Sequence, residues 1–129
     1  MRELTKLMKV LSDESRLRVL NLIQERECCV CEVMQVMGIS QSKASRILSA
    51  LYDVGLLKLR REGRWALYSI DTDPAKGYVG EILAGIKRSM ENDSLAIGDR
   101  ERLEKAERVG PACVVGGCSS RAVEQNSAA

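Results

Sequence analysis

The sequence predicts a mainly α fold with one β-hairpin, in the arrangement of a winged helix-turn-helix. Three observations predict it. Aromatic residues are nearly absent, with one Trp, three Tyr and no Phe in 129 residues, so the core must be aliphatic, which favours packed helices over a β-sandwich. Two short helical patterns meet at a turn that contains glycine, and an alternating segment then folds back on itself.

The first two helices are predicted from apolar spacing and from capping residues. Leu4, Leu7, Met8 and Leu11 fall at i, i+3, i+4 and i+7, which is one face of a helix. Ser12 or Asp13 can cap a second helix that runs to about Glu25. The interior of that helix is almost continuously apolar, which indicates a buried position.

A helix-turn-helix pair follows. A short helix around Val33–Met37 is expected to end at Gly38 in a left-handed conformation. Ser40 is a suitable N-cap for the recognition helix, predicted from about Ser40 to Asp53. The buried face of that helix consists of Ala44, Ile47, Leu48 and Leu51. Its opposite face is small and polar, which allows close approach to bases and phosphates. The residues predicted to contact DNA from this helix are Gln41, Ser42, Lys43, Ser45, Arg46 and Ser49.

The hairpin is predicted from an alternation of side chains around a turn. Leu57–Arg61 has the period of a strand, Glu62-Gly63 can form the turn, and Arg64–Ile70 is the returning strand. Net charge is only +2, but six Lys or Arg residues lie between positions 43 and 64. Such a local excess favours contact with phosphates. The wing residues predicted to reach DNA are Lys58, Arg60, Arg61 and Arg64.

A last firm helix is predicted after Asp73, with Pro74 at its first position. Its apolar stripe and that of the first helix are interpreted as a homodimer interface; the alternative is an ordinary core helix. The interface residues are Leu4, Leu7, Met8, Leu11, Val79, Ile82, Leu83, Ile86 and Met90. The folded domain is therefore predicted over 1–92. A polar, flexible tail is predicted over 93–129, with a marginal helix from Asp99 to Arg108.

Several classes of function are disfavoured. The sequence has no histidine, which excludes Ser-His-Asp and Cys-His catalysis, and nothing positive indicates an enzyme. No stretch is apolar enough for a membrane span and no signal-peptide layout is present, so a cytoplasmic protein without a membrane partner is expected. Five cysteines in that compartment are expected to be mostly reduced, and to serve as ligands or redox thiols and not as a disulfide framework.

Taken together, residues 4 to 92 resemble the ArsR/SmtB family of bacterial metalloregulatory repressors, in its arsenic-responsive branch. The most specific pieces are the segments 11–17, 29–33, 55–57, 61–65 and Tyr68. The resemblance implies transcription regulation by a homodimer that represses from an inverted-repeat DNA operator until a metal ion binds. Two departures are notable. Ile47 stands where the family often has His, and Met34 where arsenic-responsive members often have a third cysteine.

The cysteines predict the inducer. Thiolates prefer soft ions, and three of them can surround As(III) or Sb(III), so arsenite or antimonite is the expected inducer and no prosthetic group is expected. Cys29 and Cys31 match the family motif and are the first two predicted ligands. Residues two apart diverge on a regular helix but point the same way in an extended segment. If this segment is helical, capture of the ion is expected to unwind its start.

The third ligand stays open between Cys28, which is slightly preferred as a neighbour, and Cys113 or Cys118 from the tail. Two alternative functions also remain. One is a repressor of the same fold that responds to cadmium, or to thiol oxidation or persulfide. The other is a thiol protein that carries metal and has no DNA role. Against the latter, the sequence has no Cys-x-x-Cys, and the basic wing would lack a purpose.

Overall fold

Six helices and one hairpin follow each other along residues 1–73 and 77–108, the part of the chain that the computed structural model describes. In chain order they are α1 (Arg2–Leu11), α2 (Glu14–Glu25), α3 (Val30–Met37), α4 (Gln41–Asp53), β1 (Leu57–Glu62), β2 (Trp65–Ile70), α5 (Gly77–Met90) and α6 (Ser94–Lys105). The winged helix-turn-helix prediction is confirmed. The predicted helix start at Pro74 and the tail cysteines Cys113 and Cys118 lie outside the described residues.

The helix ends follow from local chemistry. The Asp13 carboxylate accepts a hydrogen bond from the backbone N–H of Arg16 at 2.9 Å, and the Ser40 hydroxyl accepts one from the N–H of Lys43 at 3.2 Å. Each side chain thereby satisfies one of the unpaired donors of a first helical turn. Gly38 ends α3 with φ 66°, the left-handed conformation predicted for it.

The hairpin is antiparallel, and its register runs from Leu57 opposite Ile70 to Glu62 opposite Trp65. Gly63 forms the turn with φ 62°. Leu67 is fully buried, whereas most of β1 beyond Leu57 is exposed. The base of the hairpin is therefore anchored in the core, and the side chains of β1 beyond Leu57 face solvent.

The core is aliphatic, as the composition predicts. Leucines from α2, α4, the loop after α4 and β2 are completely buried; they include Leu20, Leu22, Leu48, Leu51, Leu56 and Leu67. Burying each such side chain contributes roughly 1.5–3 kcal/mol. The helix-turn-helix pair and the wing therefore share one core with α2.

The predicted dimer residues divide into two groups. Leu7, Leu11, Val79 and Leu83 are between 2% and 8% exposed. These four pack the core of the protomer, so they have little surface left for a partner. Leu4 and Met8 are 38% and 45% exposed, and Ile82, Ile86 and Met90 are partly exposed. A contact between protomers would rest on this second group.

Helix α6 is the main departure from the expected layout. The sequence predicts a flexible tail from residue 93, yet residues 94–105 form a helix that packs on α2 and α3. Its buried face contains Ala96, Asp99 and Leu103. The buried Asp99 carboxylate accepts two hydrogen bonds from Arg18, both at 2.9 Å, and also contacts Arg102. Because a carboxylate lies in the middle of the buried face, the sequence of this helix shows no continuous apolar stripe. The ion pairs of this carboxylate explain why it can be buried.

No helix within the described residues is long and apolar enough to cross a membrane.

Candidate nucleic-acid interface and cysteine cluster

Helix α4 presents a polar face beside the hairpin. Ala44, Ile47, Leu48 and Leu51 are buried, as predicted. The opposite face is exposed at Ser42, Lys43, Arg46 and Ser49, while Gln41 and Ser45 are partly exposed and joined by a hydrogen bond of 3.2 Å. All six side chains predicted to contact DNA from this helix therefore reach solvent.

A groove of about 610 Å³ runs along this face, between α4 and the start of α2. Lys43, Ser45, Arg46 and Ser49, four of the residues predicted to contact DNA, line one side of it. Ser15 and Arg16 line the other side, and sequence reasoning missed them. The signal available was their place in the first turn of α2, directly after the Asp13 cap. Arg16 adds a cation to the surface that would face phosphates.

The four basic wing residues do not share one environment. Lys58, Arg60, Arg61 and Arg64 are all exposed. The Arg60 guanidinium, however, donates to both carboxylate oxygens of Glu27 at 2.7 and 2.8 Å, and to Glu62 at 2.9 Å. This bidentate pairing lowers the pKa of Glu27 and raises that of Arg60. Arg60 is thus held by carboxylates in this structure, and the phosphate contact predicted for it stays a prediction.

The two cysteines of the family motif meet at the start of α3. Cys29 is the N-cap and has an extended backbone, with φ −97° and ψ 171°, whereas Cys31 lies inside the first turn. Their sulfur atoms are 2.9 Å apart, and both residues are 1% exposed. The sequence predicted that the two sulfurs would diverge if this segment were helical. Because the cap residue is extended, they already converge, and no unwinding is needed to bring them together.

Glu32 holds this helix start in place. Its carboxylate accepts from the backbone N–H of Cys29 at 2.9 Å, from Arg26 at 2.7 Å and from Arg108 at 3.2 Å. Glu32 is 2% exposed, so the two arginines supply the compensation that a buried carboxylate requires. Sequence reasoning missed Glu32 and Arg108. The available signal was the acidic residue three positions after a helix cap.

Cys28 has different surroundings. It is completely buried, and its thiol donates to the Arg26 carbonyl at 3.3 Å. Its backbone pairs with Tyr68 of β2. Neighbouring residues of an extended segment point to opposite sides. Among the described residues, no group of three or more Cys, Asp or Glu side chains is arranged to hold a metal ion. Cys28 as the third ligand stays a prediction.

Burial makes these thiols weak acids. It raises the pKa of Cys28 to about 12 and that of Cys29 to about 11; the charge of the Glu32 carboxylate raises both further, whereas the backbone N–H of Glu32 opposes the shift at Cys29. Both thiols are therefore protonated at neutral pH. A ligand that condenses with neutral thiols would suit this site better than one that needs thiolates already formed.

The chain segment after α6 passes close to the cluster. The Cys31 sulfur lies 3.9 Å from the Glu107 carbonyl oxygen. Gln35 and Glu107 are joined by two hydrogen bonds, of 2.6 and 3.1 Å. The tail cysteines follow this segment in the sequence, and six residues of extended chain span at most about 20 Å. Cys113, six residues beyond Glu107, is therefore within reach of the cluster.

These features define the class of winged helix-turn-helix regulators. A family model described as bacterial regulatory protein, arsR family, matches residues 13–58. The arsenical resistance operon repressor of Bacillus subtilis is 32% identical over 81 residues, which are 62% of this chain and 77% of that protein. The chain belongs to the ArsR family.

Two further comparisons agree. The arsenic resistance transcriptional regulator ArsR1 of Pseudomonas putida is 38% identical over 79 residues, which are 60% of this chain and 61% of that protein. This chain thus spans less than two thirds of that relative. The solved homodimeric winged helix-turn-helix DNA-binding domain of Mb0332 from Mycobacterium bovis, a possible ArsR-family regulator, superposes with a TM-score of 0.59 at 27% identity. The superposition covers 72% of this chain and 82% of the Mb0332 chain.

Proposed function

We propose that this protein is a homodimeric, DNA-binding transcriptional repressor, released from its operator when cysteine thiols capture arsenite or antimonite. The observation that carries the proposal is the convergence of the Cys29 and Cys31 sulfurs, 2.9 Å apart, at the first residues of α3. Helix α3 is the first helix of the pair whose second helix, α4, has an exposed polar and basic face. A ligand at this cap therefore acts on the element that supports the DNA-reading helix.

The DNA-binding part of the proposal is supported by the shape and charge of one surface. The exposed face of α4 has small hydroxyls with Lys43 and Arg46, which can approach base edges and phosphates. The wing adds Lys58, Arg61 and Arg64 beside it, for backbone or minor-groove contacts. A twofold dimer would present two such surfaces, which suits an inverted-repeat operator.

The inducer reaction is a condensation. Arsenite is a neutral trihydroxide, and each thiol that binds forms one As–S bond while one As–O bond breaks. Cys31 is disulfide-bonded in this structure, so a small thiol reductant must first supply two electrons and two protons to open that bond. Each thiol proton then leaves with a hydroxide as water, so three thiols release three waters and the condensation itself transfers no electrons. This chemistry suits buried thiols whose pKa values are raised, because no net charge is created in a buried site.

For the third thiol, the described contacts favour the tail over Cys28. The buried Cys28 thiol donates a hydrogen bond to the Arg26 carbonyl, and the backbone of Cys28 pairs with β2. In contrast, Glu107 places the chain that leads to Cys113 within 3.9 Å of the Cys31 sulfur. Closing so short a loop costs little additional entropy. We therefore propose Cys29, Cys31 and a tail cysteine as the ligand set, with Cys28 as the competing candidate.

The test uses the purified full chain and a fluorescent duplex, enriched from a random-sequence pool by the chain itself. Anisotropy is measured at low salt with arsenite, antimonite, cadmium, zinc or peroxide added in turn. We expect arsenite to weaken binding about 5- to 150-fold, the range of a coupling energy of about 1–3 kcal/mol. Failure to bind any duplex at low salt would contradict DNA binding itself. Release by cadmium alone, or by peroxide alone, would select the cadmium or the redox alternative.

Single serine variants then assign the ligands. Replacing Cys29 or Cys31 should abolish the arsenite response while DNA binding is retained. Replacing Cys113 or Cys118 separates a tail ligand from a bystander, and Cys28→Ser is the matched alternative. Loss of the response in Cys28→Ser, with both tail variants unaffected, would move the third ligand back to Cys28.

A further inference from the structure

The wing is attached to the segment that leads into the cysteine cluster, through its backbone. The N–H of Cys28 donates to the Tyr68 carbonyl at 3.0 Å, and the N–H of Tyr68 donates to the Cys28 carbonyl at 2.8 Å. Such a reciprocal pair is one rung of an antiparallel ladder. Cys28 thus extends the hairpin sheet by one residue, directly beside the proposed ligand Cys29.

A side-chain contact attaches the other strand of the hairpin to the same segment. Arg60 of β1 donates two hydrogen bonds to the carboxylate of Glu27, the residue before Cys28. The Glu27 side chain is 24% exposed and that of Arg60 is 54% exposed. Bidentate geometry fixes the direction of both side chains, which a single ionic contact does not do.

Arg108 makes a third connection. Its guanidinium lies 5.9 Å from the centre of the Trp65 ring in β2. It also donates to the Glu27 carbonyl at 3.3 Å and to Glu32 at 3.2 Å. The hairpin is therefore joined to residues 27, 28 and 32, which flank Cys29 on both sides.

We infer that ion capture at the cysteine site moves the wing as well as the helix-turn-helix pair. Arg60 is a positioning residue that holds the wing to Glu27 in the DNA-binding state. This inference rests on the proposed function. In the reduced protein, capture of an ion by Cys29 and Cys31 draws in a third thiol and shifts the backbone at Cys29. Residues 27 and 28 move with Cys29, and the hairpin moves with them because three contacts connect it to this segment.

The wing contributes cations to the DNA-facing surface, so a change in its angle alters the phosphate contacts of Lys58, Arg61 and Arg64. DNA affinity then falls even if α4 itself keeps its orientation. The Glu27–Arg60 pair determines how much of the shift reaches the wing. An exposed ion pair contributes little because water screens it, so its share of the response is about two- to fivefold.

The test compares Glu27→Gln with Glu25→Gln. Glu25 is exposed at the end of α2, two residues away, so both variants remove one negative charge from the same region. The readout is the ratio of duplex dissociation constants with and without arsenite, together with arsenite affinity in the absence of DNA. We expect Glu27→Gln to reduce the ratio two- to fivefold with arsenite affinity unchanged, and Glu25→Gln to leave both at parent values.

Salt dependence gives an independent measurement. Arg60→Gln should give the same slope of log affinity against log salt as Glu27→Gln, whereas Arg61→Gln should reduce the slope by about 0.9, the effect of one lost phosphate contact.

Equal ratios for Glu27→Gln and Glu25→Gln would overturn the inference. So would a slope reduced by about 0.9 in Arg60→Gln but not in Glu27→Gln, because Arg60 would then be an ordinary phosphate ligand. If instead the parent protein binds the duplex but ignores arsenite, the proposed function fails first. The two failures are therefore distinguishable.

Discussion

Glu32→Gln tests the arrangement that holds the cysteine cap. The substitution keeps the size of the side chain but removes its charge. In the parent, the carboxylate accepts three hydrogen bonds, from Cys29, Arg26 and Arg108, while only 2% of the residue is exposed. A glutamine has one acceptor oxygen, so its amide group must face either the Cys29 N–H or a guanidinium, and one of these donors loses its acceptor.

The magnitude follows from burial. Breaking a fully buried ion pair costs about 3–5 kcal/mol. Here the Arg26 and Arg108 side chains are 38% and 27% exposed, so water can solvate them once the carboxylate is gone. The loss should therefore resemble that of one hydrogen bond to a charged group, about 1.5–3 kcal/mol. With a urea slope of about 2 kcal/mol per molar, the unfolding midpoint should fall by about 1 M.

The assay is equilibrium urea unfolding followed by far-UV circular dichroism. Glu104→Gln is the control, because Glu104 is an exposed glutamate on α6. Arsenite affinity should fall in Glu32→Gln as well, since the Cys29 cap loses its partner and the two sulfurs are no longer held together. A midpoint shift no larger than that of Glu104→Gln would refute the assignment of Glu32 as the anchor of this helix start.

Four further predictions concern other parts of the molecule. Arg46→Ala should weaken DNA binding roughly 5- to 150-fold in anisotropy, a loss of about 1–3 kcal/mol, while arsenite affinity of the DNA-free protein is unchanged; equal DNA affinity would remove Arg46 from the interface. Leu67→Ala, at a fully buried wing position, should cost about 2–5 kcal/mol in thermal unfolding, and a loss below 1 kcal/mol would contradict its core role. Met8→Glu should shift the protein toward monomer in sedimentation velocity, because Met8 is 45% exposed and a charge there opposes burial against a partner; an unchanged dimer would exclude this face. Because burial raises the pKa of Cys29 to about 11, cadmium must displace a thiol proton, so its apparent affinity should rise about tenfold per pH unit for each proton released. Arsenite affinity should stay flat between pH 6 and pH 8, and parallel pH slopes for both ions would contradict the condensation reaction.

Many features of the fold could be predicted because their causes are local. The Asp13 and Ser40 caps depend on donors only three residues away. The end of α3 depends on the left-handed conformation of Gly38, and the hairpin on alternation around Gly63. The exposed face of α4 follows from helical period, which is why all six predicted contact residues of that helix reach solvent.

Other features of the site could not be predicted, because their partners are distant in the sequence. Arg60 looks like a free wing cation until Glu27, 33 residues earlier, is seen beside it. Helix α6 has a carboxylate on its buried face, so no apolar stripe marks it, and Arg18, 81 residues away, makes its burial possible. Pairings of this kind depend on the packing of helices, which local spacing does not contain.

The cysteine cluster combines both kinds of information. The residue types and their i, i+2 spacing were enough to predict a thiol site next to a helix-turn-helix, since softness and position can be read from the sequence alone. Diverging sulfurs were predicted only for a helical segment, and that condition is not met because Cys29 is an extended cap and not part of the helix. That conformation is held by Glu32, whose charge is balanced by Arg26 and by Arg108 from beyond α6. The sequence thus determined the chemical identity of the site, a pair of thiols beside a helix-turn-helix. Tertiary contacts decided the approach of the two sulfurs, because only packing could bring those arginines to one buried carboxylate.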